Sequence, residues 1–365
     1  MVGEALGGAA ALYAGAVASA RLRGTLEGGP YASPAEADAE LDALARSFAA
    51  RARVEEYGRS QEGRPLRMLR IGAPDARARL LVGGHLHAGE YVGGHMARRV
   101  AARLLARDAA GDASLRGFLD AAQVLVAPLL NPDGAARVWR SAGWSGFGGM
   151  RFTASGVDPN RNFPFVATAG ARAWNSARGR RGAATYRGPY PLSEAECLAL
   201  AQLAARERFC TAIHFHSFGG VVYLPDLVGV FDTGERDALV RGLDVFRGVF
   251  QSQQPLRPYR PVPEAPSAIV GQLDAFLVGA FGTPSVTIEV GRPGWGWLRP
   301  RNVLNAFWLF NPRDPRTWEH NDVDASIHAL IEAWRETGGE PGRPRQPELA
   351  RGLDESGFAR EPRSG

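Results

Sequence analysis

The sequence predicts an α/β fold with a mixed, largely parallel central sheet and helices on both faces. Three observations carry this expectation. Short apolar runs recur, among them "ARLLVGG" (78–84), "QVLVAPLL" (123–130) and "PSVTIEV" (284–290), and glycine punctuates their ends. Their apolar character is near-continuous, as in strands covered on both faces. Between them lie stretches of ten or more residues with helical spacing, the alternation that builds parallel sheets.

Taken in order, the chain opens on "MVGEALGGAAALYAGAVASARLRG", which is Ala/Gly-rich and contains Ala18-Ser19-Ala20, a signal-peptidase-like site. Against a secretory signal stand Glu4, the lack of a basic residue ahead of the apolar run, and the poverty in leucine. Residues 1–30 are expected to be an extension with signal-like features, and no compartment is assigned. Residues 33–50 predict a helix, with Ser33 as N-cap and Pro34 in the first turn. "LRMLRIG" (66–72) alternates like a half-buried strand, 78–84 is a buried strand, and 93–106 is a helix. A strand over 123–134 closes in the turn signal Asn-Pro-Asp-Gly. Residues 193–206 predict a helix with a Ser-x-x-Glu capping box, and 210–220 a strand. Helices are expected over 233–249 and 322–334, with the last strand, 284–290, between them. Residues 337–365 are polar and rich in Gly and Pro, which predicts a flexible tail.

Composition bounds the function. All 43 basic residues are arginine, and they are interspersed with 38 acidic ones rather than gathered in a stripe, so no nucleic-acid partner is expected. No stretch reaches the roughly 20 uncharged apolar residues of a spanning helix, so no stable membrane insertion is expected. Cys197 and Cys210 form neither a disulfide framework nor a CxxC pair, and read as small buried residues or at most one optional bridge.

Three of the seven histidines fall within "GGHLHAGEYVGGH", 83–95. His87 and Glu90 stand at i and i+3, where an imidazole and a carboxylate can face one point. His216 closes a second apolar run and Glu289 lies near the end of a third. In open α/β sheets sites gather beyond the carboxyl ends of strands, so these groups can converge. A catalytic zinc takes three protein ligands and leaves one position open. His-x-x-Glu alone is a weak pattern, equally readable as a polar loop before a helix. Glu289 in "SVTIEV" is costly to bury unless it is functional or paired, for instance with Arg292. His85 and His214 precede proposed ligands by two residues and so share a strand face with them, as supporting donors or rival ligands. His95, His320 and His328 read as surface or packing residues.

"HAGE", "NPDG", "GVDPNRNF", "YRGPYPLSEAE", "FHSFGG" and "TIEVGRPGWGWLRP" follow one another in an order that resembles the carboxypeptidase A-like zinc metallocarboxypeptidases, peptidase family M14. The resemblance runs from about Tyr31 to about Trp334 and implies one catalytic domain over 31–336. It implies one Zn2+ held by His87, Glu90 and His216, with Glu289 as general base. Carboxypeptidase A is itself the standing example of a His2Glu zinc site, so that agreement restates the resemblance. It further implies that Asn160 and Arg161 grip the C-terminal carboxylate of a peptide substrate, and that an arginine stabilises the oxyanion. Trp139-Arg140 matches the family's dipeptide for that arginine, with Arg137 and Arg151 as alternatives. Two positions depart from the family pattern. Gly89 replaces an arginine that engages substrate, and no tyrosine stands where a mobile one is expected, Tyr259 being the nearest. The specificity position falls on Asp274 or Leu273 according to alignment. The implied activity is removal of a C-terminal residue; alternatives are a peptidoglycan-stem or other amide hydrolase, or a zinc-binding pseudoenzyme that recognises C-termini.

Overall fold

The computed structural model describes residues 26–164, 179–225, 233–263, 271–292, 305–345 and 347–354. The signal-like segment before Leu26 and the end of the chain after Asp354 lie outside the described residues. Eight strands form one sheet: β1 (Ala52–Arg59), β2 (Pro65–Ile71), β3 (Ala78–Gly84), β4 (Ala122–Ala127), β5 (Thr211–His216), β6 (Val221–Leu224), β7 (Arg260–Pro263) and β8 (Ser285–Glu289), in the order β1-β2-β4-β3-β5-β8-β6-β7. The central run β4-β3-β5-β8 is parallel, β2 and β6 join its two edges antiparallel, and β1 pairs antiparallel with β2, giving the expected mixed sheet.

The principal helices are α1 (Pro34–Ser47), α2 (Tyr91–Ala109), α3 (Ala113–Ala121), α4 (Pro132–Arg140), α5 (Ala195–Glu207), α6 (Thr233–Ser252), α7 (Leu273–Phe281), α8 (Arg316–Glu336) and α9 (Pro347–Asp354). Strand side chains alternate between two apolar layers. Leu80, Val82, Ile213, Phe215 and Ile288 join the layer that includes residues of α2, α6 and α8. Leu81, Leu125 and Ala212 join the one that includes α5 and α7. Each fully buried Leu, Ile or Phe contributes about 1.5–3 kcal/mol, so burial on both faces, rather than strand propensity, holds the centre.

Local signals explain most boundaries. α1 begins as expected, and Ser33 and Glu36 close a reciprocal capping box. The Asn-Pro-Asp-Gly turn is instead the first turn of α4, because the Asn131 side chain accepts from Gly134 N at 3.0 Å and caps it. The capping box expected at Ser193 does not form. Asn162 engages the Ser193 hydroxyl and the Glu194 amide, so α5 starts after Glu194, and Glu196 is buried. The stretch after 336 is not loose throughout. Gly342 N donates to Arg208 O, Arg345 N to Ala280 O, and α9 packs on α5 with Leu353 buried. Cys197 and Cys210 are free and buried. Among the described residues no helix is long and apolar enough to cross a membrane.

The site depends on how α2 meets the strand tips. A Cβ on Gly84 would stand 2.5 Å from Gly93 O, one on Gly93 2.5 Å from Phe215 O, and one on Gly94 2.6 Å from Pro128 O. Only glycine lets the helix start touch β3, β5 and the end of β4 backbone to backbone. Gly93→Ala is therefore expected to lower unfolding free energy in urea by about 1–3 kcal/mol. Gly117→Ala, exposed in α3 with nothing near its Cβ, should raise it by about 0.5–1 kcal/mol. Equal effects from the two substitutions would contradict this packing.

Candidate metal centre

β5 and β8 lie in register with His216 opposite Glu289, and β3 ends one strand away with Gly84 opposite Phe215. The chain leaves β3 through His85, whose φ of 59° is in the left-handed region and whose Nε2 donates to Ala88 O at 3.0 Å. That turn brings His87 back over the strand tips, and Glu90 caps α2 beside it. His87, Glu90 and His216 are all buried and each offers a ligand atom, the three lying within 4.8 Å of one another.

The internal geometry is that of a ligand set. His87 Nδ1 lies 2.8 Å from one Glu90 oxygen, His216 Nδ1 lies 2.9 Å from the other, and the two Nδ1 atoms are 3.1 Å apart. Asp158 Oδ1, 3.1 Å from His87 Nε2, accepts the proton there, which leaves His87 Nδ1 a lone pair aimed at the centre. Lone pairs and a carboxylate turned on one buried point repel one another unless a cation lies among them. The residues therefore fit a divalent metal with two nitrogen donors and one oxygen donor.

Charge around the centre follows from burial and neighbours. Burial alone would raise the Glu90 carboxyl, but the His87 and His216 rings outweigh it and hold it well below the usual range. Burial would likewise raise Asp158, and Arg151, with His87, holds it low. Burial and Arg151 pull His87 down, yet Glu90 and Asp158 raise it overall, whereas burial leaves His216 lowered. Glu289 is pushed up to about 8 by burial first and by Glu90 next. No hydrogen bond or ion pair of its carboxylate occurs among the described residues, and Arg292 instead donates to Pro258 O.

The other expected residues divide. Asp158 N-caps the short turn Pro159–Arg161, so Asn160 and Arg161 stand next to the residue that orients His87. Asn160 Oδ1 accepts from Leu273 N at 2.9 Å, and the Arg161 charge acts on Asp158 and Asp274. Leu273 and Asp274 are both fully buried, and Asp274 accepts from Thr287 Oγ1 at 2.9 Å. Arg140 does not reach the cluster. Val138 fills the inward face of α4, and two residues on, about 200° round the helix, Arg140 is exposed with its Nε on Ala136 O. Arg137 is spent on the carbonyls of Gly149, Phe152 and Thr153. Arg151 does reach it: its Nε donates to Asp158 Oδ2 at 2.6 Å, and its charge acts on Glu90 and Glu289. Asp158 is the residue that motif reading missed, although it stands within "GVDPNRNF".

His85 and His214 stay outside the ligand set; His214 Nε2 faces Thr287 Oγ1 at 3.3 Å, and its Nδ1 has no hydrogen-bond partner among the described residues. His95 pairs with Glu319, and His320 and His328 are exposed. Tyr259 is buried, donating to Asp322 Oδ2 at 2.8 Å and accepting from Gly291 N at 3.0 Å. Residues 264–270, part of the stretch expected to carry the mobile tyrosine, and 293–304, which hold the end of the last motif, lie outside the described residues.

Comparison with known proteins bears on the family and the fold. A family model described as zinc carboxypeptidase matches residues 37–229. Carboxypeptidase B of Astacus astacus is 29% identical over 170 residues, 44% of this chain and 52% of the relative. Zinc carboxypeptidase A 1 of Anopheles gambiae is 26% identical over 213 residues, 56% of this chain and 46% of the relative. The chain thus spans about half the length of these curated relatives. Bovine thrombin-activatable fibrinolysis inhibitor, solved in complex with tick carboxypeptidase inhibitor, shares the fold with a TM-score of 0.65 and 16% identity, covering 84% of this chain and 97% of that one.

Zinc is expected to bind one ion per chain, and Asp158→Ala should weaken it by about 10–100-fold. With Glu289 raised to about 8, it is mostly protonated at pH 7 in the metal-free protein. A nearby dication favours the carboxylate, so zinc uptake at pH 7 should release that proton. Glu289→Gln should release about one proton fewer in a weakly buffered zinc titration. Equal release by parent and variant would remove Glu289 from the field of the ion.

Proposed function

The chain belongs to the zinc carboxypeptidase family, and from that premise we propose that it is a zinc-dependent metallocarboxypeptidase that hydrolyses the C-terminal peptide bond of peptides. The observation that carries this is the convergence of His87, Glu90 and His216 at the strand tips, with Glu289 paired to His216 on the adjoining strand. Zinc, when bound, supplies a Lewis acid and an acidified water. His87, Glu90 and His216 hold it, and Asp158 keeps the His87 ring turned toward it.

Glu289, half-buried at the end of β8, is the general base. Its carboxylate, which a bound dication would keep ionised, takes the proton of the attacking water and passes it to the leaving nitrogen. Arg161 offers a two-pronged guanidinium to the terminal carboxylate of the peptide, with Asn160 beside it. Arg151, rather than Arg140, is the oxyanion donor: its Nε is held on Asp158 Oδ2 beside His87, whereas Arg140 is exposed with its Nε on Ala136 O. The substrate is a peptide with a free C-terminus.

Turnover of a peptide panel with zinc tests this. Glu289→Gln should retain zinc and lose about 10²–10⁴-fold in kcat. Arg161→Ala should mainly raise KM, and amidated C-termini should be poor substrates. Cleavage confined to murein stem peptides would favour the amide hydrolase, and peptide binding without any cleavage the pseudoenzyme.

A further inference from the structure

The turn that carries His87 and Glu90 is held at Gly89 by two segments, the loop of Met150 and the segment that ends in Asn311. Gly89 N donates to Met150 O at 2.6 Å, while Asn311 Nδ2 donates to Gly89 O at 2.7 Å. A Cβ on Gly89 would stand 2.8 Å from Met150 Cβ and 3.1 Å from its Cα, with the sulfur nearer still. Gly89 is not among the glycines with left-handed φ, so contact and not backbone conformation excludes a side chain there. Met150 is fully buried. The same loop is fixed from below by Arg137 and by Asn131, whose Nδ2 bridges Leu86 O and Phe152 O. The next residue along is Arg151.

We propose that Gly89 and Met150 are a positioning pair: the bare backbone at 89 is the socket into which Met150 docks, and that docking sets Arg151 beside Asp158, the residue that meets His87. An arginine at position 89 and this loop exclude one another, since any side chain there would take the space of Met150. The ligand turn therefore carries no cation of its own at position 89, and the nearby cation stands on the facing loop as Arg151. The inference rests on Arg151 acting as oxyanion donor, as proposed above.

A phosphonate peptide analogue carries a tetrahedral anion, whereas a free C-terminal amino acid needs only the carboxylate grip. The test measures binding of both to zinc-loaded parent, Gly89→Ala, Met150→Ala and Gly89→Ala/Met150→Gly, with zinc content and Tm alongside. Gly89→Ala should weaken the phosphonate by about tenfold to a hundredfold and leave amino-acid binding and zinc content unchanged. In turnover, kcat should fall at constant KM. Removing the Met150 side chain in the double variant should restore part of the phosphonate affinity, because the two positions are coupled. If Gly89→Ala does not fold, Met150→Ala, which adds no clash, should show the same selective loss in smaller measure. Equal weakening of both ligands, or of neither, or no restoration in the double variant, would overturn the pairing. A parent that binds the phosphonate but cleaves nothing defeats the proposed activity alone. Normal turnover together with an unaffected Gly89→Ala defeats the positioning pair alone.

Discussion

Backbone pressed on backbone at the carboxyl ends of β3 and β5 is the constraint from which the rest follows. Gly84, Gly93 and Gly94 let α2 begin on top of the strand tips, where a single methyl group would stand within 2.6 Å of a carbonyl oxygen. That closeness makes a four-residue pattern into a site. Glu90, the first cap of α2, comes within reach of His216 and accepts from Ser217 N at 3.1 Å. A helix start moved outward by a side-chain layer would leave the same residues as a polar loop, the bland alternative that the local pattern allows.

The charges gathered there make little sense as scaffolding. Glu90, Asp158 and Glu289 crowd a region where Arg151 acts on all three and Arg161 on Asp158. Buried acids are tolerated when paired, and replacing such clusters by apolar groups is often neutral or stabilising. Glu289 meets the surplus by keeping its proton to about 8. A chain under selection for stability alone would have little reason to keep this arrangement, whereas a chain that binds a dication needs it.

What the sequence made legible, and what it hid, divides along the same physical line. His87, Glu90, His216 and Glu289 are rare polar residues at the ends of apolar strands, and the end of a strand is visible in composition. Arg140 matched a dipeptide, but helix phase, set by the buried Val138, decides where a residue of α4 points. Arg151 owes its place to contacts between two loops, which no local pattern encodes. Ser193 had the right neighbours for a capping box and lost its hydroxyl to Asn162, 31 positions away. The helix in the expected tail was hidden for a similar reason: Leu353 is a fully buried anchor, and its value depends on the groove that α5 offers.

Asp158 ties these parts into one unit. Its Oδ1 meets His87 Nε2 and accepts from Asn160 N, its Oδ2 accepts from Arg151 Nε, and the chain runs on directly into Arg161. One carboxylate thus orients a proposed metal ligand, holds the proposed oxyanion donor and shapes the turn that presents the proposed carboxylate grip. Such groups cannot be tuned separately, because a shift that improves one hydrogen bond of Asp158 strains the others. Tyr259, locked between Asp322 and the Gly291 amide, adds nothing movable to this unit. Arg151 and the Asn160–Arg161 turn are thus held in place before any ligand arrives, and in the proposed function that preorganisation is how they would act on a bound peptide.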